Sequence, residues 1–353
     1  MTDALVTRVR RAVEELAPGY FSLVMATGIV SIGLRERGQV VVSDVLLAVA
    51  VLAYTVILAL SVWRCASYPA AVAEDLADPR RAFGFFTFVA GTDVLAVRLG
   101  MTGGREWLVV GLAVAGTAWL VLGYVVPWTA VLGRSAGPVL RSADGTWFTC
   151  VVAAQSVAIV AASLEPGVHS DRAALALLAV GCWSVGVLLY LLVGLVVVVR
   201  LLLHPIGPEE LTPPYWVSMG ALAITVVAGA RIVEMTAVPV VEVTRGLVAG
   251  LAVVLWSVAT WLVPALVAAG CWRHLRHRVP LDYEPSLWNV VFPLGMYAVA
   301  GIDLGEADHL PIVARVGDAV VWVALAAWVV LLVAMVRHLL ASAIRPPGPQ
   351  PAT

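Results

Sequence analysis

Long apolar segments alternate with short polar clusters along the whole chain. The apolar segments lie at about residues 18–34, 41–63, 82–101, 107–132, 146–163, 173–203, 214–232, 246–271, 286–304 and 316–340. A helix that rises about 1.5 Å per residue needs about 20 apolar residues to cross roughly 30 Å of hydrocarbon. The pattern therefore predicts ten transmembrane helices joined by short loops. It leaves no length for a soluble catalytic domain.

The composition agrees with a protein that is solvated by lipid. Hydrophobic residues make up 61% and charged residues 13% of the 353 positions, whereas soluble domains are about half apolar and a quarter charged. The net charge of −1 is spread over the loops and does not indicate a nucleic-acid partner. We predict an all-α integral protein of the cell membrane, surrounded by the lipid bilayer.

The distribution of basic residues predicts the orientation of the chain. Ten spans place both termini on one side of the membrane, and all 22 basic residues are Arg. Fourteen of them lie on the side of the termini: Arg8, Arg10, Arg11, Arg64, Arg80, Arg81, Arg134, Arg141, Arg200, Arg273, Arg276, Arg278, Arg337 and Arg345. Because short cytoplasmic loops are enriched in basic residues, both termini are predicted to be cytoplasmic.

Three regions follow from this topology: a cytoplasmic N-terminal segment at 1–17, a single transmembrane domain at 18–340, and a disordered cytoplasmic tail at 341–353. The tail is rich in Pro, which favours disorder. The N-terminal segment places four apolar residues on one helical face: Leu5, Val9, Val13 and Leu16. A short amphipathic helix on the membrane surface and a solvated tail both fit that stripe.

An internal repeat relates the odd-numbered spans. Each begins with an aromatic-rich stretch followed by a small polar residue: Ser22, Thr87, Thr149, Ser218 and Asn289. The spacing is 65, 62, 69 and 71 residues, so a hairpin of two spans is the repeating unit. We predict that five parallel hairpins form a closed ring around a central pore, with the odd-numbered helices inside. The polar positions are then predicted to line its cytoplasmic mouth, where they replace part of an ion's hydration shell.

One helical turn deeper, the same alignment predicts a second layer of pore-lining residues: Met25, Ala90, Val152, Ala221 and Phe292. Only Phe292 is aromatic, so one bulky ring would plug an otherwise open pore. Pro293 and Gly295 interrupt the ninth span beside it, and backbone groups freed in this way are tolerated where they are buried in protein or face a wet cavity. A Phe simply packed within the bundle is the alternative interpretation.

Three segments of the chain resemble a known family. They are Pro-Gly-Tyr-Phe-Ser-Leu-Val-Met-Ala-Thr-Gly-Ile-Val at 18–30, Ala-Gly-Thr-Asp-Val-Leu-Ala at 90–96 and Trp-Asn-Val-Val-Phe-Pro-Leu-Gly-Met-Tyr-Ala at 288–298. The chain is similar to the tellurite-resistance/dicarboxylate transporter family, which includes bacterial anion channels, fungal malate carriers and sulfite exporters, and plant guard-cell slow anion channels. The resemblance implies five hairpins around a pore and commonly a homotrimer with one pore per subunit. It also implies that Phe292 occludes the pore.

Ionisable residues inside the spans are functional candidates because burying them in a membrane is costly. Asp93 is the clearest case. It fits either a protonatable coupling site or a buried structural partner of Arg98 or Arg231. Alternatively, Arg98, Arg231 and Arg105 gather anions at an outer vestibule. Arg231 and Glu234 lie three residues apart, and an exposed ion pair between them is the simplest interpretation.

A possible metal site is the weakest of the candidates. Cys271, His274 and His277 share a helix face, a spacing that can bind a metal. The surrounding basic segment is already explained by topology, so we predict no metal and no cofactor.

Most inner-span midsections lack charge, which predicts selection among small anions by size and dehydration cost.

Four functions compete at this point. The preferred hypothesis is an anion channel for chloride, nitrate, sulfite or small carboxylates. The second is a carrier for dicarboxylates such as malate or for sulfite, and in one version of this hypothesis Asp93 couples transport to protons. An intramembrane enzyme would need clustered acids, bases or nucleophiles within the spans, and the sequence shows no such cluster. A structural scaffold would have no continuous wet path through the subunit.

Overall fold

A computed structural model describes residues 2–133, 139–167, 171–236 and 238–344. Helices and short connections make up this described part, and no strand occurs in it. The α-helices are α1 Thr2–Glu14, α2 Ser22–Glu36, α3 Val40–Ser67, α4 Pro69–Ala77, α5 Phe86–Gly100, α6 Glu106–Val126, α7 Thr149–Leu164, α8 Arg172–Leu203, α9 Val217–Glu234, α10 Pro239–Cys271, α11 Trp288–Ala307 and α12 Pro311–Ile344. Turns of π-helix extend α6 at Pro127–Val131 and α10 at Trp272–Arg276.

Nine helical segments within the described ranges are long and apolar enough to cross a membrane. They correspond to the second through tenth predicted spans. The first predicted span corresponds to α2, which has only 15 residues, fewer than the roughly 20 that a full crossing requires. A 3₁₀ turn at Pro18–Phe21 precedes it directly.

The long helices divide into an inner and an outer set. In α5, α7, α9 and α11 between 78% and 94% of the most apolar window is buried, against 11% to 22% in α3, α6, α8, α10 and α12. Almost all of α2 is buried as well. Helices that are covered on all sides lie inside the protein, whereas exposed Leu and Val side chains on the outer set suit contact with lipid.

The inner helices contact one another in a closed cycle. The cycle runs from α2 to α5, α7, α9 and α11 and returns to α2. Each inner helix also packs on the outer helix that follows it in the chain. Outer helices therefore surround a five-membered inner bundle.

Each inner helix begins with a 3₁₀ turn. The five turns are Pro18–Phe21, Ala82–Phe85, Gly145–Phe148, Pro213–Trp216 and Pro285–Leu287, and they too contact one another in a closed cycle. We call the end where they lie the proximal end of the bundle, and the opposite end the distal end. The repeated polar residues lie at or one residue after the change from 3₁₀ to α-helix, so the sequence repeat coincides with a structural repeat.

The terminal regions differ in part from expectation. Residues 2–14 form α1, which contacts α3, and Val13 is buried, so this part of the N-terminal segment is a packed helix. At the other end α12 continues to Ile344. The prediction of disorder is therefore wrong for residues 341–344, while 345–353 lie outside the described residues.

Candidate functional site

A small cavity lies on the axis of the inner bundle. All five inner helices contribute side chains to it, among them Ile29, Asp93, Ser156, Arg231 and Met296. Its volume is about 30 Å³, which is large enough to hold a water molecule. We call it the axial cavity. Most of its other lining residues are aliphatic.

The predicted second layer lies on the proximal side of this cavity. Phe292 precedes Met296 by four residues on α11, Met25 precedes Ile29 by four on α2, and Val152 precedes Ser156 by four on α7. Residues four apart share a helix face, so these helices present the layer and the cavity on one continuous axial surface.

The second layer is buried. Its five members, Met25, Ala90, Val152, Ala221 and Phe292, are each no more than 1% exposed. An open water-filled passage at this level would expose their side chains. Phe292 has the largest side chain of the five and is fully buried.

The repeated polar residues mainly bind backbone rather than line an open mouth. The Thr87 hydroxyl is 2.7 Å from the Gly84 carbonyl and 3.2 Å from that of Pro18. The Ser218 hydroxyl donates to the Tyr215 carbonyl of its own turn. These contacts satisfy carbonyl groups at the starts of the helices.

The three other polar positions differ from one another. Thr149 repeats the arrangement of Thr87, with its hydroxyl 2.5 Å from the carbonyl of Phe83. Ser22 is buried, and its hydroxyl has no hydrogen-bond partner among the described residues. Asn289 is half-buried.

Asp93 contributes a carboxylate to the wall of the axial cavity. It is 1% exposed, and one carboxylate oxygen accepts a 2.7 Å hydrogen bond from the Ser156 hydroxyl. The other oxygen has no hydrogen-bond partner within the described part of the chain. The expected ion pair with Arg98 or Arg231 is absent there, because both arginines are paired with other acids.

Arg98 is a structural residue of the helix packing. It is fully buried, its Nη2 donates to Asp44 over 2.6 Å, and its guanidinium also bonds to the hydroxyls of Ser31 and Ser43. These partners lie on α2 and α3. The structure therefore places Arg98 between α5 and the first hairpin, away from the predicted outer vestibule.

Arg231 does line a wide vestibule at the distal end, of about 460 Å³. It bridges Glu36 of α2 at 3.1 Å and Asp303 of α11 at 3.0 Å. Arg231 therefore pairs with these two acids in the structure, and not with Glu234 as we expected. Glu234 and Glu306 also line the vestibule, so acids outnumber Arg231 on its wall, contrary to the basic vestibule that we expected.

Two further residues that we predicted to belong to the site, Pro293 and Arg105, contact neighbouring helices. Pro293 packs against Gly220 of α9, where an added Cβ would lie 2.9 Å from the proline ring. Arg105 donates to the Leu164 carbonyl. Both contacts join neighbouring parts of the bundle.

The Cys271, His274 and His277 group has no metal-site geometry. The His274 ring nitrogen Nδ1 lies 2.9 Å from the Val279 carbonyl, and the His277 ring packs edge-on against Trp272. Among the described residues, no group of three or more potential ligands is placed to hold a metal ion.

The sequence reasoning missed Ser156, Met296, Glu36 and Asp303 as site residues. Ser156 and Met296 follow members of the predicted second layer by four residues, so extending each axial face by one turn would have found them. The pairing of Glu36 and Asp303 with Arg231 had no local signal, because these residues lie on three different helices.

The comparisons with known proteins agree with this architecture. The profile of the SLAC1 family, described as voltage-dependent anion channel, matches residues 15–336. This chain belongs to the SLAC1 family. The match confirms the resemblance to the tellurite-resistance/dicarboxylate transporter family, of which the SLAC1 family is part.

Two curated proteins are similar to parts of this chain. An uncharacterized membrane protein of Mycobacterium tuberculosis is 60% identical over 154 residues, which are 44% of this chain and 78% of that protein. An uncharacterized transporter of Methanocaldococcus jannaschii is 25% identical over 151 residues, 43% of each chain. The SLAC1-family member described here is accordingly a membrane protein of a transport family.

Proposed function

We propose that this protein is an anion channel whose conduit follows the axis of the inner bundle and is closed by Phe292. The observation that carries the proposal is the position of the fully buried Phe292 ring, one turn proximal to a cavity built by all five inner helices. Membership in the SLAC1 family supports anions as the transported species. Removing this ring should open the second layer without altering the polar residues on either side.

The chemistry of the axis suits small, weakly bound anions. Aliphatic side chains dominate the axial cavity, and Ser156 and Arg231 are the hydrogen-bond donors among its side chains. Arg231 is held by two carboxylates, which weakens its field. A weak field selects by size and dehydration cost, so chloride, nitrate, sulfite and small carboxylates are the proposed substrates.

The membrane arrangement is part of the proposal. Because α2 occupies the place between α11 and α5 in the inner cycle, we take it with its 3₁₀ turn as the first span, which brings the number of spans to ten. Five hairpins then surround the conduit, with residues 18–340 as the transmembrane domain, in the plasma membrane. The arginine distribution supports cytoplasmic termini, and the family resemblance supports a homotrimer.

A carrier is the second candidate, and Asp93 is the observation that favours it. A buried carboxylate without a cationic partner is costly to keep charged, so Asp93 is placed to bind a proton close to the conduit. A proton-coupled carrier for dicarboxylates such as malate, or for sulfite, would use that proton.

The test is anion flux in proteoliposomes that contain the wild type or Phe292→Ala. Chloride, nitrate, sulfite and malate are each measured with and without a pH gradient. The channel hypothesis predicts low wild-type flux and a rise of tenfold or more in the variant. A tenfold rise corresponds to an energy barrier for ion passage that is lower by about 1.4 kcal/mol. The pH gradient should leave this flux unchanged.

Phe148→Ala is the matched control. Phe148 is also buried and begins an inner helix, but its ring packs on Tyr190 of the outer helix α8 with centroids 5.2 Å apart. Both variants lose a buried ring and about 3–5 kcal/mol of stability, so only a role on the axis separates them. Equal flux from the two variants would contradict the proposed closure by Phe292.

A further inference from the structure

An apolar groove of about 350 Å³ opens between α10 and α12 at the proximal end. Leu266 of α10, Val290 of α11 and Leu331 of α12 contribute to its apolar body, and Arg273 and His274 lie on its wall. We call it the basic groove. It combines an aliphatic surface with positive charge at the end of a membrane-spanning helix.

Arg273 makes few polar contacts within the protein. Its Nη1 donates to the Leu211 carbonyl over 2.6 Å, while its Nε is buried without a hydrogen-bond partner in the described part of the chain. No carboxylate among those residues forms an ion pair with it. A half-buried guanidinium with one neutral acceptor retains most of its capacity to bind an anion.

Two arginines at comparable helix ends are neutralised within the protein. Arg64, near the end of α3, pairs with Asp75 at 2.7 Å, and Arg200, near the end of α8, pairs with Glu210 at 3.5 Å. The missing carboxylate is therefore not a general property of proximal arginines. Arg273 is one of the arginines without an ion pair among the described residues, and it lies on the wall of the basic groove.

A second groove provides an internal comparison. It has a volume of about 480 Å³ and lies between α6 and α8, lined by residues such as Trp119, Gly123 and Leu192. Its lining contains no charged side chain. We call it the neutral groove. Two grooves of similar architecture thus differ in whether a cation lies on the wall.

We propose that the basic groove binds one anionic phospholipid, with an acyl chain along its apolar body and the phosphate on the Arg273 guanidinium. Arg forms short, charge-assisted hydrogen bonds to phosphate, and basic pockets between transmembrane helices bind acidic lipid headgroups. Charge complementarity selects this occupant over a zwitterionic lipid. The neutral groove takes acyl chains without selecting a headgroup.

The test is native mass spectrometry of the purified full chain in detergent with equal amounts of phosphatidylglycerol and phosphatidylcholine. The wild type should retain phosphatidylglycerol preferentially. Arg273→Gln should lower that preference about fivefold, as expected for about 1 kcal/mol per basic residue near a lipid surface. Arg276→Gln, an exposed neighbour that does not line the groove, should preserve it.

A second pair of variants tests the groove itself. An added Cβ would meet no atom within 4 Å at Gly270 or at Gly123, which line the basic and the neutral groove respectively. Gly270→Phe should therefore fill the basic groove and abolish selective phosphatidylglycerol retention, while Gly123→Phe should leave it intact.

Three results would overturn the proposal. They are wild-type retention without headgroup preference, equal effects of Arg273→Gln and Arg276→Gln, and displacement of the lipid by excess inorganic phosphate, which would identify a site for free anions. Lipid retention is measured without ion flux, so its outcome is independent of the proposed channel.

Discussion

The Thr149 hydroxyl at the start of α7 lies 2.5 Å from the backbone carbonyl of Phe83, which belongs to the preceding repeat. Thr87 makes the equivalent contact with Pro18 at 3.2 Å. In both cases the acceptor lies four residues before the equivalent polar position of the preceding repeat, Thr87 or Ser22. Side chains that the repeat places at a pore mouth therefore hold adjacent inner helices together.

Replacing Thr149 with Val should destabilise the proximal ring. The change keeps the side-chain shape but removes the bond to Phe83, and interhelical hydrogen bonds in membranes contribute about 0.5–2 kcal/mol. The measurement is the free energy of unfolding in mixed detergent. Thr55→Val is the control, because its exposed hydroxyl bonds only to the Val51 carbonyl of its own helix. Equal losses for both variants would argue against the ring contact.

Replacing Gly220 with Ala should disturb the contact between α9 and α11. The new Cβ would lie 2.9 Å from the Pro293 ring, and crowding of a packed interior costs about 1–3 kcal/mol. Gly123→Ala on α6 meets no atom within 4 Å and should be neutral or slightly stabilising, because Ala is a better helix former than Gly. Thermal unfolding of both variants checks the difference, and an unaffected Gly220→Ala would contradict this packing.

Replacing Arg98 with Gln should lower stability more than replacing Arg35. Both arginines pair with Asp44, but Arg98 is fully buried at 2.6 Å, whereas Arg35 is 26% exposed at 3.6 Å. We expect Arg98→Gln to lower the free energy of unfolding by about 2–3 kcal/mol and Arg35→Gln to lower it little. The loss for Arg98→Gln stays in this range because Asp44 is half-exposed and remains solvated. If Arg98→Gln instead lowers anion flux without loss of stability, Arg98 gathers anions as first expected.

Replacing Asp93 with Asn separates the two candidate functions. Asn keeps the shape and can still accept a hydrogen bond from Ser156, but it cannot exchange a proton. For a channel, passive anion flux should be similar to that of the wild type, and neither protein should respond to a pH gradient. For a carrier, a pH gradient should drive uphill uptake of malate or sulfite in the wild type. Asp93→Asn should abolish this uptake. Ser156→Ala serves as the control because it keeps the carboxylate.

The structural role of Arg231 shows why part of the site escaped prediction. Its partners Glu36 and Asp303 are 195 and 72 residues away along the chain. Helical periodicity relates residues three or four positions apart and contains no information about pairing between distant helices. The sequence therefore suggested its neighbour Glu234, and the fold supplied two other acids.

The positions along each inner helix were more accessible to sequence reasoning. The repeat located the start of every inner helix to within a few residues, and it aligned Met25 with Phe292. Both are buried and lie one turn before residues of the axial cavity. This worked because a hairpin repeat and the 3.6-residue period of the helix are both properties of the local sequence.

The sequence by itself determined that the chain is helical and rich in apolar segments of membrane length. It also indicated a repeat of two helices and the family of the chain. Hydropathy and short motifs carry this information because both are local properties of the sequence. Only the tertiary structure decided that the second layer is buried, that Asp93 bonds to Ser156 without a cation among the described residues, and that Arg98 and Arg231 have other acidic partners. Those outcomes depend on how five helices rotate and pack against one another. Burial and ion pairing follow from that packing, and the sequence of a single segment does not specify how distant helices pack.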